Sequence, residues 1–129
     1  MSTEKMKRLG DAELEIMQVI WQAQKPVTSS FILEHLEGRR KWALSTLMTV
    51  LTRLADKGFL LCDRSTHNNL YSAVIAEQAY KASESRSFLE KLYGNSLQSL
   101  VANLYSSKAV KPEDLKELRT FLDELEKEE

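Results

Sequence analysis

Apolar residues recur along this chain at two periods, and the switch between them marks out its elements. From Asp11 to Ala23, Leu14, Met17 and Trp21 form one stripe, widened by Ile16 and Ile20, which predicts an amphipathic helix. Asp11 suits its N-cap, and Glu13 and Glu15 put negative charge in the first turn, facing the positive helix end. Lys25-Pro26-Val27 breaks the pattern as an extended stretch, in which Val27 can add a short strand. Thr28 caps a second helix, predicted to run to Glu37 and stop at Gly38, with Phe31, Ile32, Leu33 and Leu36 on its buried side.

The third predicted helix covers Leu44–Lys57. Leu44, Leu47, Val50, Leu51 and Leu54 share one face; Ser45, Thr49, Thr52 and Arg53 share the other, with Thr46 and Met48 at its edges. Trp42 and Ala43 make a poor cap at its entry, whereas Lys57 followed by Gly58 is a good stop. The period then shortens. Phe59–Cys62, the polar turn Asp63–Asn69 and Leu70–Val74 read as strand, turn and strand.

Beyond Ile75 the pattern is helical again. A helix over Glu77–Tyr93 is expected to bury Phe88, Leu89 and Leu92 before Gly94-Asn95 breaks it. Another starts near Ser96 and carries Leu97, Leu100, Val101 and Leu104; after a linker over Ser106–Lys111, Pro112 opens a last helix with Leu115, Leu118, Leu122 and Leu125 on one face. The fold class is mainly α with a small β-wing: a winged helix-turn-helix domain over residues 1–75 and a C-terminal three-helix domain over residues 76–129. Three short helices with one-sided stripes make a poor core alone, and a second copy is the economical way to complete it. Phe88, Leu92, Leu97, Leu100, Val101, Leu104, Leu118 and Leu122 are the expected dimer interface, the alternative being an intramolecular core.

Composition narrows the classes. With 129 residues, 43% hydrophobic and 29% charged, the chain is an ordinary globular protein of one domain or one domain with an appendage. It has no apolar run near membrane-span length and no apolar signal-peptide core, so a cytoplasmic protein that does not itself bind membranes is expected. Cys62 is the single cysteine, expected as a small buried hydrophobe, and His35 and His67 lie far apart. No metal site and no cofactor are therefore expected. No nucleophile–base pair or phosphate loop is visible either, so the chain does not read as an enzyme. The net charge of −1 is unevenly spread: through Ile75 there are ten Lys or Arg against eight Asp or Glu, and after it eight against eleven. Arg39–Arg64 holds six cations and two acids.

A short-polar helix face beside a cationic hairpin suits the major groove of double-stranded DNA and its flanking phosphates. On that face Thr46 and Thr49 can set methyls on thymine methyls and hydroxyls on base edges, with Met48 and Thr52 alongside. Ser45, at the helix start, supports phosphate binding by backbone N–H groups, and Arg40 and Lys41 precede it. Arg53 suits a phosphate, or a surface ion pair with Asp56. Arg64, His67, Asn68 and Asn69 form the wing tip, which reads equally as a DNA contact or a plain turn. Trp42 is expected in the core.

At this point a run of residues resembles a known family. Leu9-Gly10-Asp11-Ala12-Glu13-Leu14-Glu15-Ile16-Met17, then Val19, Ile20 and Trp21, resemble the penicillinase-repressor family, which includes methicillin-resistance and copper-responsive repressors. The likeness continues through Trp42, Thr46, Thr49, Leu51, Arg53, Leu54, Lys57 and Gly58, and resumes at Tyr71, Ser87-Phe88-Leu89, Tyr93 and Ser99–Leu104. It implies a homodimeric repressor on dyad operators with TACA/TGTA-type half-sites, controlling β-lactam-resistance or related genes. It also implies relief of repression by cleavage, triggered by a membrane-bound β-lactam sensor with a zinc-protease domain, at the bond matching Asn103–Leu104. Relatives usually have Phe where this chain has Leu104. Two more departures stand out: there is no cysteine after Cys62 to form the copper-binding motif, and Ala43-Leu44 replaces the Ser-Pro entry of the penicillinase repressors. The competing readings are a winged-helix protein-interaction module, which salt-independent binding would mark, and a repressor sensing a small ligand between its dimer helices.

Overall fold

The computed structural model describes residues 6–36 and 41–128. In chain order the elements are α1 (Asp11–Ala23), α2 (Ser29–His35), α3 (Leu44–Asp56), β1 (Leu60–Asp63), β2 (Leu70–Ala73), α4 (Glu77–Tyr93), α5 (Leu97–Ser106) and α6 (Pro112–Lys127). The chain divides into two compact units, Met1–Glu84 and Ser85–Glu129. No helix among the described residues is long and apolar enough to cross a membrane.

The first unit is a winged helix. Its core gathers Ile16, Met17 and Ile20 of α1, Ile32 of α2, and Leu47, Val50, Leu51 and Leu54 of α3 around Phe59. Two expectations for α1 and α3 need correcting. The N-cap of α1 is Gly10 and Asp11 is its first helical residue. Leu44 is 55% exposed, because it opens α3 one turn ahead of Leu47, the first position that meets the core. At the other end of α3, Gly58 adopts a φ of 84°, a left-handed conformation that favours glycine, and this turns the chain into the hairpin. Thr28 caps α2 by accepting the Phe31 N–H at 3.2 Å. That helix ends sooner than the sequence pattern implies, at His35 with Leu36 as C-cap; Glu37 and Gly38 lie outside the described residues.

Strands β1 and β2 pair antiparallel, Leu60 opposite Ala73 and Asp63 opposite Leu70. Strand β1 lies one residue later than expected, and β2 starts at Leu70 as expected but ends one residue sooner. Phe59 belongs to the core ahead of β1, and its carbonyl accepts the Val74 N–H at 2.8 Å just past β2. Val27 joins the hairpin through an isolated antiparallel bridge to Tyr71, with N···O distances of 3.0 and 2.7 Å. Trp42 and Cys62 are half-buried and pack on the edge of the core.

The start of α4 is built into this first unit. Tyr80 is buried, its ring 6.0 Å from that of Trp21 and 5.6 Å from that of Phe59, and its hydroxyl accepts the Leu9 N–H at 3.0 Å. The Trp21 indole N–H donates to the Ile75 carbonyl at 2.9 Å, fixing the chain as it enters α4. Later in α4 the expected burial of Phe88 and Leu92 is not found within one chain: they are 43% and 64% exposed, and Leu89 is half-buried. In the second unit, α5 and α6 contain no buried residue. Ser96 caps α5 by accepting the Ser99 N–H at 3.1 Å, and Asp114 secures the start of α6 by accepting the Lys111 N–H at 2.7 Å.

Candidate nucleic-acid interface

The recognition-helix candidate is α3. Leu47, Leu51 and Leu54 anchor it in the core, which leaves Ser45, Thr46, Met48, Thr49, Thr52 and Arg53 exposed together on its outer side. Lys41 precedes it and is exposed; Arg40 lies outside the described residues. The threonines are not idle hydroxyls. Thr49 Oγ1 donates to the Ser45 carbonyl and Thr52 Oγ1 to the Met48 carbonyl, each at 3.0 Å, one turn back along the helix.

At its C-terminal end α3 is clamped to α1. Lys57 Nζ lies 2.7 Å from Glu13 Oε1, and the same oxygen accepts the Gly10 N–H at 2.8 Å. Glu13 is 5% exposed, and its Oε2 is buried with no hydrogen-bond partner. Burial pushes the Glu13 carboxyl up, but the Lys57 and Gly10 hydrogen bonds and the charges of Lys57 and Arg53 outweigh it and hold the carboxyl below the usual glutamate range. The clamp escaped the sequence reading because Asp11 had the N-cap role there. With Gly10 as N-cap, Glu13 falls at the third helical position, from which a glutamate reaches back to the cap N–H.

The wing tip is organised by Asp63. Its Oδ1 accepts the Ser65 N–H at 2.9 Å and the Ser65 hydroxyl at 2.6 Å, and these two bonds lower its pKa. The Thr66 hydroxyl donates to the Asn68 carbonyl across the tip. Arg64, His67 and Asn68 are exposed there, with Asn69 half-buried. Among the described residues no group of His, Cys, Asp and Glu could hold a metal ion. His35 is used locally, bonded through Nδ1 to the Phe31 carbonyl at 2.8 Å and stacked on the Phe31 ring at 4.0 Å.

The fold and these features converge with known sequences. A family model described as penicillinase repressor matches residues 9–124. The chain belongs to the penicillinase repressor family. This family member is 32% identical over 120 residues to the methicillin resistance regulatory protein MecI of Mammaliicoccus sciuri, covering 92% of this chain and 95% of that one. It is 31% identical over 121 residues to the penicillinase repressor of Bacillus licheniformis, covering 94% of each. Among solved structures it is similar to the DNA binding domain of the repressor BlaI, with a TM-score of 0.51 and 31% identity over 60% of this chain and 94% of that one. It is also similar to the Bacillus licheniformis BlaI monomeric form in complex with the blaP half-operator, with a TM-score of 0.50 and 32% identity over 59% of this chain and 92% of that one.

The residues singled out in the second unit of this penicillinase-repressor family member divide by exposure. Phe88, Leu92, Leu97 and Leu122 are exposed; Leu100, Val101, Leu104 and Leu118 are half-buried. Asn103 is exposed on α5, where its side-chain amide donates to the Tyr93 hydroxyl at 2.9 Å and its carbonyl accepts the Ser107 N–H at 3.0 Å.

Proposed function

We propose that this chain is a homodimeric, cytoplasmic transcriptional repressor that binds a dyad operator in double-stranded DNA. The observation that carries this reading is the outer face of α3, short and polar on a helix whose other side is locked in the core, within a unit similar to a BlaI domain solved on a half-operator. Thr46, Met48, Thr49 and Thr52 meet the major groove, Ser45 at the helix start supports phosphate binding by backbone N–H groups, and Arg53, Lys41, Arg40 and the wing residues Arg64, His67 and Asn68 meet phosphates. The exposed apolar side chains of α4 to α6 support pairing with a second copy. Joining two weak half-site contacts raises avidity by about 10²–10⁴.

Repression of β-lactam-resistance genes, relieved by a membrane sensor protease cutting Asn103–Leu104, fits this arrangement. A cut in α5 separates the last helices from the winged helix and returns each copy to weak half-site binding. Because the bond lies within a helix, local opening precedes cleavage.

Fluorescence anisotropy with a TACA/TGTA dyad duplex and a scrambled duplex, at two salt concentrations, tests the reading. Dyad-selective binding that weakens steeply with salt is expected. Equal, feeble binding to both duplexes overturns it. Full operator affinity in a sample cut after Asn103 overturns the relief mechanism.

A further inference from the structure

Two cations stand one helical turn apart at the C-terminal end of α3, and the protein uses them differently. Arg53, in the last turn of the helix, is exposed. Lys57, the C-cap, is turned inward: its Nζ lies 2.7 Å from Glu13 Oε1 and its side chain is 24% exposed. The Arg8–Glu84 and Lys81–Glu77 pairs, by contrast, keep their cations in solvent.

Lys57 is held where it is by what its departure would leave behind. Glu13 is buried, and its Oε2 has no hydrogen-bond partner. Its Oε1 is shared between the Lys57 ammonium and the Gly10 N–H. A lysine that left for a DNA phosphate would strand this carboxylate. Removing one partner of a buried pair costs far more than a surface ion pair returns. A single phosphate contact changes affinity by only about fourfold between 50 and 200 mM salt. Resting on the DNA-binding reading above, we infer that Glu13 stands in for a DNA phosphate and holds Lys57 out of the interface, so that phosphate contact at the C-terminal end of α3 falls to Arg53 alone. Glu13 is thus a positioning residue that limits the sequence-independent grip of the protein on DNA. With a neutral side chain at position 13, Lys57 is released about 6 Å along the helix from Arg53, close enough to share its track of phosphates.

The test compares salt slopes, the change of log affinity with log salt. Anisotropy of the full-length protein is followed on a TACA/TGTA dyad duplex and a scrambled duplex, with circular dichroism to show that each variant is folded. Glu13→Gln keeps the side-chain shape and an oxygen for the Gly10 N–H but removes the charge. It is expected to tighten binding to both duplexes and to steepen the slope by about 0.9 per subunit. Glu13→Gln combined with Lys57→Met removes both charges at similar volume, a replacement that buried pairs tolerate, and is expected to restore the wild-type slope. Arg53→Gln is expected to flatten the slope by about 0.9 per subunit. A double variant with a slope that much flatter than wild type overturns the inference, because Lys57 was then already on a phosphate. A folded Glu13→Gln protein with the wild-type slope also overturns it, since the pair then only braces α3 against α1. So does an unchanged slope in Arg53→Gln. Should Glu13→Gln alone fail to fold, the double variant against wild type still decides. A wild type with neither dyad preference nor salt dependence removes the DNA-binding reading itself, and the inference with it.

Discussion

The two units of this chain solve burial differently. In Met1–Glu84, Phe59, Ile16, Met17, Ile32, Leu47, Leu51 and Leu54 are almost completely removed from water. In Ser85–Glu129 no residue of α5 or α6 is buried, and Leu92, Leu97, Tyr105 and Phe121 are each more than half exposed. The first unit has a core that anchors α3, with its candidate recognition face, by contacts within the unit. The second has the stripes of a core without the far wall within one chain, the feature on which the proposed pairing with a second copy rests.

Four measurements break or sharpen that contrast. The largest effect is expected at the centre of the first unit. Phe59→Ala removes a side chain with no exposed surface and is expected to cost about 3–5 kcal/mol in urea unfolding. A cost below about 1 kcal/mol would show that the first unit is no better packed than the second.

Next is the clamp between α1 and α3. Glu13→Ala strands the Lys57 ammonium and the Gly10 N–H and is expected to cost about 2–3 kcal/mol. The folded Glu13 carboxyl titrates below its unfolded value, so its stabilisation is complete above the usual glutamate range and disappears as pH falls through the folded value. Unfolding of wild type followed downward from neutral pH should lose this contribution in acid. Glu13→Gln should lack that share of the slope, and identical slopes would remove Glu13 from the acid response.

Leu122→Ala probes the second unit. Leu122 is 44% exposed, so within one chain little packing is lost, whereas in a dimer the dissociation constant should rise about tenfold by sedimentation equilibrium. A monomeric wild type at high micromolar concentration would end the dimer proposal. Smallest are the caps. Thr28→Ala and Ser96→Ala each remove one N-cap acceptor, worth about 1 kcal/mol in the helix that carries it. Thermal melts should show the Thr28 change in the main unfolding transition. The Ser96 change should follow the second unit, and if both units melt as one with equal shifts, they are not independent.

The sequence by itself determined the order of elements, the helix–strand alternation of the first unit and the outer face of α3. All of these follow from local periodicity, turn chemistry and breakers such as Gly58 and Pro112, which act over a few residues and are written in the chain. The bounds of α1 and α4 and the family resemblance were legible in the same way. What the tertiary structure alone decided involves partners far apart along the chain. Glu13 finds Lys57, the Leu9 N–H finds the Tyr80 hydroxyl, and the Trp21 indole finds the Ile75 carbonyl. Periodicity could mark Leu44 as apolar but not that the core begins one turn later, and it could not show that the Thr49 and Thr52 protons are consumed by their own helix. A stripe records which side of a helix avoids water; only the packed neighbours decide how far that side is covered and which polar atoms remain for another molecule.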